Sequence, residues 1–225
     1  MEANLFMLAA NIARPGTLSA SEGFAFADGA LILQTKPFYA ERLSNCVNAA
    51  TKLGWPRFTP VSIRDVWEWM RTSCVIKDGV GTDSMGRALS ALSHLTSESL
   101  NDSSSIELVW ILLGLEALYS KGNVGLKEQL LAKTEPILGR RIENKKAFGA
   151  VYDFRSRLIH GDIDIPMRFT SHDAVPAFEE FQSELSRNES IALAALIATL
   201  QFMTARNLRS LVFKYELQVG SPSAQ

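Results

Sequence analysis

From residue 62 onward, apolar positions recur at spacings of three and four, which predicts a succession of helices. Ser62-Ile63-Arg64-Asp65 reads as an N-cap with an acid in the first turn, and Val66, Trp67, Trp69 and Met70 follow it. A helix is predicted over 84–99 from Leu89, Leu92 and Leu95, after a Gly- and Asp-rich loop over 77–83. Residues 104–120 are apolar on almost every side (Ile106, Leu108, Val109, Trp110, Ile111, Leu112, Leu113, Leu115), the pattern of a helix central to a bundle. A shorter helix over 125–138 carries Leu126, Leu130 and Leu131 and stops near Pro136 and Gly139. Residues 142–160 form the next helix, residues 162–176 a loop, and 177–187 and 189–215 two closing helices.

The first 60 residues carry a weaker pattern. Pro15-Gly16 marks a turn, and Phe24 and Phe26 before Asp28-Gly29, with Leu31-Ile32-Leu33 after it, predict a short hairpin. A helix is predicted over 36–53, broken by Gly54-Trp55-Pro56. The fold class is therefore all-α, a helical domain over 61–217. An N-terminal extension over 1–60 packs on it, and a disordered tail covers 218–225.

Composition adds bounds. The hydrophobic fraction is 47% and the charged fraction 21%, an ordinary globular balance, and the net charge is −1, so no global field points to nucleic acid or an acidic membrane. A local basic patch is still compatible with that balance. Cys46 and Cys74 have no metal-ligand spacing and read as the isolated thiols of a cytoplasmic protein. The apolar run from Ile191 to Met203 is too short to span a bilayer, and the apolar start lacks a basic n-region, so no membrane association is expected. Glycine-rich phosphate loops, zinc spacings and an arguable Ser-His-Asp order are missing from the sequence, so no cofactor or metal is expected.

Candidate chemistry concentrates in Tyr152-Asp153-Phe154-Arg155-Ser156-Arg157-Leu158-Ile159-His160-Gly161-Asp162, the end of a helix that Gly161 lets the chain leave in a left-handed conformation. Arg155 and His160 are five residues apart and project roughly 140° apart around the axis, so a shared groove is easiest to build with a second copy of the helix. Arg holds a phosphate through paired hydrogen bonds and His moves protons near neutrality, which together suffice for cutting a phosphodiester without a metal. An exposed Arg and a capping His favoured by the helix dipole fit the same spacing. Glu116 lies in the most apolar helix; it either pairs with an Arg, Arg155 being a candidate, or occupies a solvent-facing edge. Arg140, Arg141, Lys145 and Lys146 form the densest basic cluster, which fits either a solvated face or neutralisation of an RNA backbone. Trp67 and Trp69 point to different sides of a helix and read as core with partial exposure, His94 reads as a surface or packing residue, and His172 has no ligand spacing.

Three pieces of the chain together resemble the HEPN superfamily, in its Apea-like branch: residues 108–119, the approach from Arg140 to Lys146, and most specifically Tyr152 to Gly161. The resemblance covers about 100–215. It implies an all-α up-and-down helical bundle with its core at about 100–215, which forms a homodimer through the motif helices so that two Arg/His pairs meet in one cleft. It further implies metal-independent endoribonuclease activity in a prokaryotic defence or toxin–antitoxin system, with RNA as substrate and an antitoxin or other defence protein as partner. On that resemblance Arg155 and His160 are catalytic, with Ser156, Glu116 and Asp162 supporting. Arg140, Arg141, Lys145, Lys146 and Arg157 are then the RNA-binding residues. A non-catalytic module that binds RNA or nucleotide, or scaffolds a partner, is the alternative. Relatives paired with nucleotidyltransferase antitoxins can carry a Tyr two residues after the His; here that place is Asp162, so control by nucleotide transfer onto such a Tyr is not expected.

Overall fold

The computed structural model describes residues 2–28, 30–73, 76–77, 79–97, 105–120, 125–139, 142–167 and 176–214. Arg140, Arg141, Cys74, His172 and the tail lie outside the described residues, as does the side chain of Lys145. The fold is all-α, as the periodicity predicts. Helix α1 (Glu2–Ala13) precedes a hairpin, β1 (Gly23–Ala27) with β2 (Ala30–Thr35), which turns at Asp28 with φ +50. Helices α2 (Glu41–Leu53) and α3 (Ile63–Ser73) follow, then a two-residue hairpin of β3 (Ile76–Lys77) and β4 (Val80–Gly81). The remaining elements are α4 (Ser84–Leu95), α5 (Ile106–Tyr119), α6 (Leu126–Leu138), α7 (Ile142–His160) and α8 (Pro176–Ala205).

Local chemistry explains most of these boundaries. Ser62 and Asp65 form a reciprocal capping box at the start of α3: the Asp65 amide donates to Ser62 Oγ at 3.0 Å and the Ser62 amide to Asp65 Oδ2 at 3.2 Å. Asp83 caps α4 by accepting from the Gly86 amide at 2.6 Å. Buried Asn11 closes the turn at Pro15-Gly16. Its Oδ1 accepts from the amides of Gly16 and Leu18, and its Nδ2 donates to the carbonyls of Met7 and Leu18. Helix α2 starts five residues later than predicted, because Phe38 is held in an antiparallel bridge to Ala20, with amide–carbonyl distances of 2.7 and 2.8 Å. The loop predicted over 77–83 contains three of the four strand residues of the β3–β4 hairpin, and α4 ends at Leu95 rather than continuing to 99.

The two predicted closing helices are one helix of 30 residues. Neither Pro nor Gly separates Arg187 from Glu189, and Asn188 turns its side chain back to the Glu184 carbonyl at 2.8 Å without interrupting the backbone. Helix α8 ends ten residues before Tyr215. Asn207 takes a left-handed φ of +49, and the amides of Asn207 and Leu208 return to the carbonyls of Thr204 and Met203 at 3.0 and 2.9 Å, a Schellman closure with Asn in the position Gly usually takes.

Every residue of α8 from Ile191 to Gln201 is buried, and α8 packs against α1, α2, α3, α5, α6 and α7. Its alanines let neighbouring helices approach closely, and Gly114 on α5 does the same from the other side: a Cβ there would meet Leu196 Cδ2 at 3.0 Å. Tyr119 and Thr199 tie α5 to α8 by a buried hydroxyl–hydroxyl bond of 2.7 Å. Residues 1–60 share this core through Leu8, Ile12, Leu43 and Cys46, and Gln201 Nε2 donates to the Ile12 carbonyl at 2.8 Å. Trp69 is core, with Nε1 donating to the Leu208 carbonyl at 2.9 Å, whereas Trp67 is half-buried against Phe6. His94 stacks on Trp110 with ring centroids 4.0 Å apart, a packing role. No helix among the described residues is long and apolar enough to cross a membrane.

Candidate functional site

Helix α7 buries Phe148, Val151, Tyr152, Phe154 and Leu158, with Phe148 edge-on to Trp55 and Phe154 against Phe181 of α8. The opposite face leaves Lys146, Ala150, Asp153, Ser156, Arg157 and His160 exposed. Arg155 falls three residues after Tyr152 and four after Val151, so it sits at the margin of the buried face and is half-buried. His160 is the last helical residue. Gly161 follows with φ +77, and the Asp162 amide donates to the Arg157 carbonyl at 2.8 Å, which closes the helix end in the Schellman manner and fixes where His160 sits.

Glu116 of α5 is half-buried opposite Tyr152 and Arg155. The Tyr152 hydroxyl donates to Glu116 Oε1 at 3.4 Å. Burial pushes the Glu116 carboxyl above its ordinary pKa, while the positive charge of Arg155 and the Tyr152 hydroxyl pull it back down. Burial, reinforced by the Glu116 charge, raises the Tyr152 phenol. The Arg155 guanidinium makes no hydrogen bond within the described residues, and its Nε is buried without a partner. It therefore serves Glu116 through its field and keeps its donors unspent.

The candidate residues are thus divided within one chain. Arg155, Glu116 and Tyr152 gather at the α5–α7 seam. Ser156, His160 and Asp162 are exposed, and among the described residues no hydrogen bond joins His160 to Arg155. Arg157 is engaged with Glu184 of α8, Nη1 to Oε1 at 3.4 Å, an exposed pair. Lys146 is exposed, and Lys127 of α6 pairs with Asp153. In and just after the helix exit, Ile159, Ile165 and Met167 are 51%, 55% and 65% exposed. Among the described residues no group of His, Cys, Asp and Glu is arranged to hold a metal ion.

A second charged cluster escapes sequence reasoning. Buried Arg42 of α2 meets buried Glu107 of α5, Nη2 to Oε1 at 3.0 Å, and reaches the Leu95 carbonyl at 3.3 Å. Glu189 of α8 is buried beside them with Oε1 unpartnered, and its carboxyl is pushed up to about 8, by burial first and the Glu107 charge second, against Arg42. The available signal was Glu107 in the first turn of an otherwise apolar helix, the same anomaly that singles out Glu116.

Comparison of the chain with protein-family models, with curated proteins and with solved structures returned no match.

Proposed function

We propose that the chain is a metal-independent endoribonuclease that acts as a homodimer, in the defence or toxin–antitoxin setting its HEPN resemblance implies. The observation that carries this reading is the pairing of an uncommitted Arg155 guanidinium at the α5–α7 seam with an exposed, cap-fixed His160. Projecting roughly 140° apart, the two most readily serve one phosphate across a second α7. Exposed Ile159, Ile165 and Met167, at or just after the same end of the helix, offer apolar area for that contact.

In this chemistry the RNA 2′-oxygen gives its proton to the second His160 of the dimer or to water and attacks the adjacent phosphorus. The bond from phosphorus to the 5′ oxygen breaks, and a 2′,3′-cyclic phosphate and a 5′-hydroxyl remain. His160 protonates the leaving 5′ oxygen. Arg155 stabilises the charge that gathers on the phosphoryl oxygens. Ser156 and the exposed Lys146 lie on the face where a strand would approach.

A second reading, a non-catalytic module that binds RNA or nucleotide or scaffolds a partner protein, is favoured by one observation: the Arg155 charge already offsets Glu116 at the seam. Cleavage of a mixed RNA pool in EDTA by wild type, Arg155→Ala and His160→Ala, with melting curves for each, decides between them. Cutting by wild type alone with cyclic-phosphate ends supports the enzyme. Three folded, dimeric and inactive proteins support the binding module.

A further inference from the structure

Away from α7, helices α2 and α8 diverge above their shared core and leave a groove of about 480 Å³. Asn45, Asn48 and Lys52 line one wall and Ser183, Ser186 and Arg187 the other. None of these six side chains makes a hydrogen bond or ion pair within the described residues, although they converge from two helices whose inner faces are locked by Leu43, Cys46, Ala50, Leu185 and Ile191. No acidic side chain lines the groove. In a chain of net charge −1, two cations on opposite walls of a groove are a local departure, and all six of these exposed side chains are open to an incoming ligand.

We infer that this groove binds a phosphate ester of nucleotide size. Lys52 and Arg187, on opposite walls, supply charge-assisted hydrogen bonds to a phosphate between them. The amides of Asn45 and Asn48 and the hydroxyls of Ser183 and Ser186 both donate and accept, which suits sugar hydroxyls and base edges better than a bare inorganic ion. Leu53 and Ile191 give the groove an apolar floor. Its volume falls within the roughly 300–1,000 Å³ of ligand sites, and its walls are preformed, so little ordering opposes binding. The ester is carried either by a free nucleotide or by an RNA strand. The inference stands apart from the reading of Arg155 and His160, neither of which lines the groove.

The test is calorimetric titration of the full chain with adenosine 5′-monophosphate, with adenosine, and with a short single-stranded oligoadenylate RNA. Saturable binding of the monophosphate or of the RNA is expected, with adenosine at least about tenfold weaker. Lys52→Ala/Arg187→Ala should lower affinity by about tenfold or more while the ligand-free melting temperature holds, and Asn48→Asp, which adds a repelling charge, gives a second variant should the double one not fold. Binding of the monophosphate identifies a free-nucleotide site, and binding of RNA alone a strand site. No saturation by either at several millimolar (about −3 to −4 kcal/mol), equal binding of adenosine, or unchanged binding by the folded variants overturns the inference. Arg155→Ala should bind as wild type does, so loss of cleavage and loss of groove binding are read separately.

Discussion

The hydroxyl of Tyr152 donates to Glu116 Oε1 at 3.4 Å, linking α7 to α5 one turn before Arg155. Glu116 thus has one weak hydrogen bond and one nearby positive charge against the burial that raises its pKa. Because the native pKa lies above the unfolded one, stability from the protonated carboxyl is fully present at acid pH and lost as pH rises through the native value. Arg155→Met removes the opposing charge and raises that value further. It should destabilise the protein by about 0.5–1 kcal/mol at pH 7, a figure reduced for the solvent at half-exposed Glu116, and by much less at pH 4. Glu116→Gln in the same background should recover most of the loss, and urea denaturation of the four proteins at both pH values measures the coupling.

Glu189 carries the larger pH dependence. Its carboxyl is pushed up to about 8, so the native protein holds a proton there that the unfolded chain releases near pH 4.3. The stability this contributes is complete below about pH 4.3 and falls away as pH rises to about 8. Glu189→Gln should flatten the decline between pH 5 and pH 9 by an amount on the order of a few kcal/mol. An unchanged slope would assign the dependence elsewhere. Arg42→Met, which strands Glu107, should cost about 3–5 kcal/mol at neutral pH.

At the exit of α7, nothing lies within 4 Å of a Cβ built on Gly161, yet its φ is +77. Gly161→Ala should therefore lower stability through the backbone alone, by about 1 kcal/mol. If His160 is the proton donor, cleavage should fall by more than the loss of folded protein accounts for. Parallel denaturation and single-turnover assays compare the two effects.

Glu184 holds Arg157 in an exposed ion pair. Glu184→Gln frees that guanidinium and removes a negative charge beside it. Melting should change by less than about 0.5 kcal/mol, since exposed pairs contribute little. Affinity for single-stranded RNA at low salt should rise several-fold, as fluorescence anisotropy across a salt series would register, if Arg157 meets the phosphate backbone. An affinity that does not move places Arg157 outside the RNA path.

What was legible in the sequence was mostly local. The Ser62–Asp65 capping box, the Asp28 turn, both ends of α7 and the Gly161 cap each depend on residues within one or two turns of each other, and all are present. The end of α8 was hidden because Asn207 takes the place usually marked by Gly, while Leu208, Leu211 and Phe213 continue an apolar pattern past it and pack on the core without being helical. The start of α2 was hidden because a distant strand residue, Ala20, claims the Phe38 backbone. At the candidate site, the roughly 140° between Arg155 and His160 followed from helical geometry alone. The Arg157–Glu184 pair and the meeting of Arg42, Glu107 and Glu189 did not, because each joins residues on different helices and depends on how those helices dock.

Helix α8 also governs when the protein can fold. At 30 residues it is about 45 Å long, and the apolar faces of α1, α2, α3, α5 and α7 all close on it. During synthesis those helices emerge first, before the element that covers them. Until residue 205 has left the ribosome, the nascent chain displays an open apolar trough, lined by side chains such as Leu8, Leu43, Ile111 and Phe154. Acquisition of the native state therefore waits for α8 and for many contacts between residues far apart in sequence, and the interval before it is when this chain depends most on chaperones.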